Sequence, residues 1–439
     1  MGRLLEFQTP VPTSFWRNPA AWLREKNLSR GFWIFFTAAF FFDFGFAAYV
    51  FLFNLYLLDI HFNERAIGLV GGALTLGSLI GTLPAGYLAR RMGLRPLLIV
   101  CFIAAPILSV ARALVVWETA QIVLAFFAGL AMCLWGVCFL PALAGTTTEE
   151  NRSSGFALIF SVSVGTSTLG GMVCGYLPHW LSRAGVVMQP VEVKRLILLA
   201  CCAIAAIGFF AVLRMQPPAP QPETAKDTNR RSYWKAAPFL LRFLPSMALW
   251  TAVIASFTPF ANVYLSRELH IPLLQIGLVY SIAQILQFCL GLLTPMLFHK
   301  LGIVNGIVVT QLATAIAIAC LAGTHSTSLA IALYLGFSAM QWMSAPGLYN
   351  LLMSKVPQEE RSTAAAMTMF CNALLGSAAT AGAGILFTRF GYPHVLFGIA
   401  ALAVAAAMLF QLLVGATDRR TPAQPIELQS SSPTPTGST

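Results

Sequence analysis

Twelve stretches of this chain are long, apolar and almost free of charge, with approximate limits 32–58, 66–89, 96–116, 119–143, 155–178, 195–214, 238–265, 273–297, 303–323, 327–352, 363–388 and 393–416. A membrane-crossing helix needs about 20 mostly apolar residues. Lipid offers no partner to a backbone N–H or C=O, so such stretches must satisfy their own hydrogen bonds, as helices do. A β-barrel would instead need strands of about ten residues alternating apolar and polar. A run such as Phe32-Trp33-Ile34-Phe35-Phe36 does not alternate. Composition agrees, because 57% of the 439 residues are hydrophobic and 10% are charged, against roughly 25% charged in soluble domains. So few charges cannot cover a water-facing surface. An all-α membrane protein is expected, and a disordered chain, a disulfide scaffold or an ordinary soluble enzyme is excluded.

Lys and Arg in the connections set the orientation. With the N-terminus in the cytoplasm, 20 of the 27 basic residues fall on that side. The net charge of +11 is scattered through short loops, which argues for topology and against nucleic acid as a partner. The expected organisation is a cytoplasmic segment 1–31, a six-helix bundle 32–214, a cytoplasmic connection 215–237, a second bundle 238–416 and a disordered cytoplasmic tail 417–439. The connection opens Gln216-Pro217-Pro218-Ala219-Pro220, and the tail is rich in Ser, Thr and Pro. The N-terminal segment does not read as a cleaved signal peptide, because the apolar run after it is too long. The nine cysteines lie in apolar stretches without a Cys-x-x-Cys pair, as small packing residues do.

The two halves repeat one another at an offset of 207 to 209 residues. Asn54-Leu55-Tyr56-Leu57 returns as Asn262-Val263-Tyr264-Leu265, and Ile67-Gly68-Leu69-Val70 as Ile276-Gly277-Leu278-Val279. Gly93 and Gly302 each follow the second motif by 25 residues. Gly129 and Trp135 pair with Gly336 and Trp342, and Glu150-Asn151-Arg152-Ser153 with Glu359-Glu360-Arg361-Ser362. Six spans is an even number, so the copies run parallel, related by an axis along the membrane normal.

Six plus six spans, a charged central connection and a basic loop after the second span resemble the major facilitator superfamily, over about residues 30–416. That family carries a loop of the form Gly-x-Leu-Ala-Asp-Arg-x-Gly-Arg-Arg. Here the segment runs Gly86-Tyr87-Leu88-Ala89-Arg90-Arg91-Met92-Gly93-Leu94-Arg95. Gly86, Leu88, Ala89, Arg91, Gly93 and Arg95 match, while Arg90 stands where the family has its acid and Leu94 replaces a basic residue. The resemblance implies that Gly86, Arg90, Arg91, Gly93 and Arg95 form a loop governing conformational change. The proton-coupled drug exporters of the family carry an arginine where this chain has Ala125, a departure from that subgroup.

Asp43 stands in mid-span, within Phe40-Phe41-Phe42-Asp43-Phe44-Gly45-Phe46, whereas the other acids fall in connections, tails or span edges. A central Asp costs about 2.5–3.5 kcal/mol on insertion scales, so it should face a cavity or a partner. Removal from water works against charge, which suits a proton carrier or a contact to a cationic solute. The alternative is a structural carboxylate bonded to a neighbouring helix. Asp43, Ala47, Val50 and Asn54 share one helix face, and the repeat places Thr251, Ala255, Thr258 and Asn262 on the matching face of the seventh span. Pro259 suggests a kink there. Gln284 and Gln287 of the eighth span, Gln341 and Trp342 of the tenth, Trp135 of the fourth and Asn372 of the eleventh complete a candidate solute cavity. Arg112, near the far end of the third span, is expected to snorkel to the outer surface.

The six histidines lie at span ends without metal spacing, and no Walker loop, nucleophile elbow or zinc motif occurs. The expected function is therefore secondary active transport of a small organic solute by alternating access, coupled to protons, with no enzyme activity, cofactor or metal. A transport-inactive receptor or scaffold of the same fold is the alternative. The expected partners are a small-molecule substrate, protons and the lipid bilayer. The chain is expected to be a monomer in the cell membrane, a bacterial inner membrane, with both termini cytoplasmic.

Overall fold

A computed structural model describes residues 28–148, 151–185, 188–215, 237–357 and 360–415. The expected N-terminal segment, central connection and tail therefore lie almost wholly outside the described residues, as do Glu150 and Glu359 of the repeated loop. Among the described residues there are helices and turns but no strand. In order they are α1 Arg30–Asp59, α2 Glu64–Met92, α3 Leu94–Leu114, α4 Glu118–Thr146, α5 Arg152–Arg183 and α6 Pro190–Leu213. Then follow α7 Ala237–Phe257, α8 Ala261–Arg267, α9 Leu273–Leu301, α10 Ile303–Gly323, α11 Thr327–Lys355 and α12 Arg361–Phe410.

Ten helical stretches are long and apolar enough to cross a membrane. Two further spans are hidden in that figure. The last stretch is divided at Gly391, where φ is 74° and ψ is 168°, values outside the helical region. Helix α11 has the length, but its Ser338, Gln341, Trp342 and Ser344 make it more polar. Counting both, with α7 and α8 as one broken span, gives twelve. The helix limits agree with the apolar stretches to within six residues. The ends are set by local chemistry. Ser29 Oγ accepts from Phe32 N–H to start α1, and Asn63 Oδ1 accepts from Ala66 N–H to start α2.

The duplication is written into the backbone. Six described residues have positive φ, and they form three pairs: His61 with His270 and Gly93 with Gly302, each 209 residues apart, and Gly185 with Gly391, 206 apart. Left-handed backbone is costly for most residues and is used only where a turn requires it. Its recurrence in equivalent turns reflects one six-helix unit used twice.

Helices α1 to α6 pack mainly on one another, with α2 on α4, α1 on α6 and α5, and α3 on α4 and α6. The second group packs likewise, α7 on α12, α9 on α11, and α10 on α11 and α12. Between the groups the main contacts are α2 on α12, α5 on α9, and α1 on α8. The large exposed apolar residues, such as Leu83, Phe210, Leu241 and Leu292, are what a lipid-facing exterior requires.

Small residues let the helices approach. A Cβ at Gly129 would collide with the Leu74 carbonyl of α2, and one at Gly77 with the Phe126 carbonyl of α4. Backbone cannot rotate away as a side chain can, so Gly129→Leu must force α2 and α4 apart. We expect a loss of about 3 kcal/mol, at the upper end for overpacking, read as a lower unfolding temperature in detergent. Unchanged stability would show that the two helices are free to separate.

Candidate functional site

Between the two bundles lies a cavity of about 480 Å³. The N-terminal face of the protein, where α1 begins, and the far face, where it ends, differ sharply around it. Hydrogen bonds across the bundles gather in the far half. Ser377 donates to the Gly72 carbonyl at 2.7 Å, and Ser281 to the Thr168 carbonyl at 2.7 Å. Arg267 grips the Glu64 carboxylate with 2.8 Å contacts to both oxygens, and Tyr392 OH donates to the same group. Glu64 is only 4% exposed. Glycine faces seal the rest, since a Cβ at Gly277 would lie 2.5 Å from the Gly171 carbonyl and one at Gly68 2.8 Å from the Thr380 carbonyl. Toward the N-terminal face, Tyr87, Met92 and Met369 are exposed. The cavity is closed by protein on the far side.

The seventh span is broken, as Pro259 suggests. Helix α7 ends at Phe257, a 3₁₀ turn covers Thr258–Phe260, and α8 resumes at Ala261. Proline has no N–H for the carbonyl four residues earlier. That carbonyl, of Ala255, accepts instead from Thr380 Oγ1 at 3.0 Å. The carbonyl of Pro259 itself accepts from Asn54 Nδ2 at 2.7 Å. The repeat partner of Asn54 does the converse: Asn262 Nδ2 donates to the Phe51 carbonyl at 3.0 Å. Phe51 and Pro259 stand at the same offset as the two asparagines. The two bonds therefore form a crossed, pseudo-twofold pair, and the symmetry axis passes between them.

Of the candidate residues, Asn54, Thr258, Asn262, Gln284, Gln287 and Trp342 line the cavity. Gln341 is buried behind it and is joined to Thr258 Oγ1 at 3.0 Å. Gln287 Nε2 donates to Ser338 Oγ at 2.8 Å. Gln284 has no hydrogen-bond partner among the described residues, so its amide is free for a guest.

Asp43 does not line this cavity. It shares the helix face of Val50 and Asn54, but Val50 lies seven residues on, about 10 Å along the axis. At its depth α5 lies against α1, and Ser163 Oγ donates to Asp43 Oδ2 at 2.8 Å. The Trp135 indole stands beside the same carboxylate. Trp135 sits in an aromatic cluster with Phe35, Phe42 and Phe139. The equivalent pair in the second half is Thr251 with Asn372, whose Oγ1 and Oδ1 lie 3.0 Å apart. The geometry thus places one hydrogen-bonded pair per half at matching positions, with a carboxylate only in the first. Asp43 has no ion-pair partner among the described residues.

Arg112 departs from expectation. It does not snorkel outward; it is 5% exposed and forms part of the cavity wall. Its guanidinium lies 4.2 Å from the centroid of the Phe53 ring. The sequence showed the charge but not the partner helix that encloses it. The Glu64–Arg267 latch carried no sequence signal, since its members are neither repeated nor in a motif.

In the loop 86–95, α2 ends at Met92 and Gly93 turns at φ 84°. Arg95 Nη2 donates to the Leu213 carbonyl at 2.6 Å, tying the loop to α6. Arg90 and Arg91 are exposed, and a Cβ at Gly86 would meet nothing.

Comparisons place these features among known proteins. The chain resembles the solved nucleoside transporter NupG at 16% identity, covering 88% of this chain and 99% of that one, with a TM-score of 0.72. A D-xylose–proton symporter is similar at 14% identity, with 87% and 97% covered and a TM-score of 0.70. A bacterial homolog of the human lysosomal transporter Spinster, inward-facing and unoccupied, is similar at 13% identity, with 90% and 100% covered and a TM-score of 0.72. At such identities the likeness is one of fold. Curated proteins provide no match. A family model for the Major Facilitator Superfamily matches residues 35–381. With a duplicated helical unit, a central cavity and that match over most of its length, this multi-pass membrane chain belongs to the major facilitator superfamily.

Proposed function

We propose that the chain is a proton-coupled secondary transporter of a small organic solute, working by alternating access. The observation that carries this reading is the cavity of about 480 Å³ between the bundles, closed by a latch and glycine seams on one face. A site at the repeat interface, with pairings concentrated on one side, can be opened to that side by rocking one bundle against the other. The basic connections assign the N-terminal face to the cytoplasm, so this conformation is inward-facing and both termini are cytoplasmic. Lined by amides and aromatic rings, the cavity suits a solute with hydrogen-bonding groups on an apolar body.

Asp43 is the proton site in this reading. Among the described residues it is the one mid-span carboxylate, held by the neutral Ser163 hydroxyl and by no cation. Loop 86–95 governs the N-terminal face, with Arg95 anchoring it to α6. The test is flux. Purified protein in liposomes loaded with one solute should drive counterflow of its labelled form several-fold above protein-free liposomes. Binding without flux for every solute that stabilises the protein would instead favour a receptor, a role to which Arg90 in place of the family's loop acid would then be relevant.

A further inference from the structure

The wall of the cavity contains a single unbalanced charge. Arg112 is buried, and its Nε is fully enclosed without a hydrogen-bond partner. Among the described residues, no Asp or Glu lines the cavity. The other groups near the guanidinium cannot balance it: Phe53 offers a ring face, and the Tyr49 hydroxyl is spent on the Ser109 carbonyl at 3.0 Å. Asp43 is bound to Ser163 and lies ten residues from Phe53 on α1, about 15 Å of rise away. An enclosed arginine is expensive unless it is paired, and its planar fork suits a carboxylate or a phosphate. The ring of Phe53 packs against that fork. Gln284, the lining amide without a partner, faces the same cavity.

We infer that Arg112 is an anion-recognition site at the far end of the cavity, and that the transported solute carries one carboxylate or phosphate. This rests on the transporter reading for the word transported, but the anion site stands or falls separately. The fork would bind the anionic group, with the cavity amides and rings holding the rest of the molecule.

The probes are benzoate, 4-hydroxyphenylacetate and phenyl phosphate, each at millimolar concentration against an uncharged partner: benzamide, 4-hydroxyphenylacetamide and phenol. Sodium chloride at equal strength serves as the inorganic control. With full-length protein in nanodiscs of zwitterionic lipid, an acid should raise the unfolding temperature by several degrees and its partner by less than one. Arg112→Gln should abolish the difference, and Arg112→Lys should keep part of it. A folding defect in these variants is bypassed in the native protein by phenylglyoxal, which modifies accessible arginines. Arg112 should be labelled, and the acids alone should protect it. Equal effects of acid and partner, a difference that survives in Arg112→Gln, or protection by chloride alone would overturn the inference. If neutral solutes cross liposomes without regard to Arg112, the anion site falls and the transporter stands. If an acid binds at Arg112 and is not carried, the reverse holds.

Discussion

Asp43→Asn is expected to abolish solute accumulation driven by an imposed pH gradient while leaving counterflow of the same solute measurable. Asparagine has the same shape, and its amide oxygen can still accept from Ser163, the donor bonded to the carboxylate. The fold should be kept, with a change in stability of about 1 kcal/mol or less, the scale of one hydrogen bond. What is lost is the ability to take up and release a proton. Gradient-driven accumulation should fall to the level of protein-free liposomes. Undiminished pH-driven accumulation by the variant would remove Asp43 from the coupling step and leave it as a structural carboxylate.

Gly277→Leu should act on the other side of the cycle. The Cβ alone would lie 2.5 Å from the Gly171 carbonyl and 3.0 Å from Gly175 Cα, both backbone. The far seal between α5 and α9 cannot form without moving a whole helix. A penalty of about 2 kcal/mol for overpacking shifts the closed-to-open ratio on that face by about thirtyfold. Transport should drop at least tenfold. A Gln284→Cys reporter in the cavity should become reactive toward an impermeant maleimide added from the far face, compared with the same chain lacking the reporter. If reactivity is unchanged, the glycine contact is not what holds that face shut.

Much of the architecture is legible from the chain alone. Long uncharged stretches leave helices as the only option, and basic residues in the connections order them. The repeat is visible because its motifs fall on turns and contacts both halves need: Asn54 with Asn262, Gly93 with Gly302 and Gly68 with Gly277. The site is only partly legible. Helical periodicity gives the angular face of a residue but not which neighbour stands opposite at its depth. Asp43 and Thr251 therefore share a face with Asn54 and Asn262, yet bond to α5 and α12 instead of lining the cavity. Arg112 is enclosed and does not snorkel for a related reason: whether a long cation near a span end reaches water depends on the helices around it. Glu64 and Arg267 meet across about 200 residues of chain, and no local pattern encodes that meeting.

The crossed asparagine bonds carry a further consequence for origin. In a homodimer of identical six-helix subunits, a contact across a twofold axis is made twice, because each subunit presents the same donor and the same acceptor. One substitution to asparagine in such an ancestor would have created both bonds together. After the genes fused, each copy was free to drift, and the surrounding residues have done so. Loss of either asparagine by itself would remove one of the two bonds that cross between the bundles at this axis and leave the other without its symmetry mate.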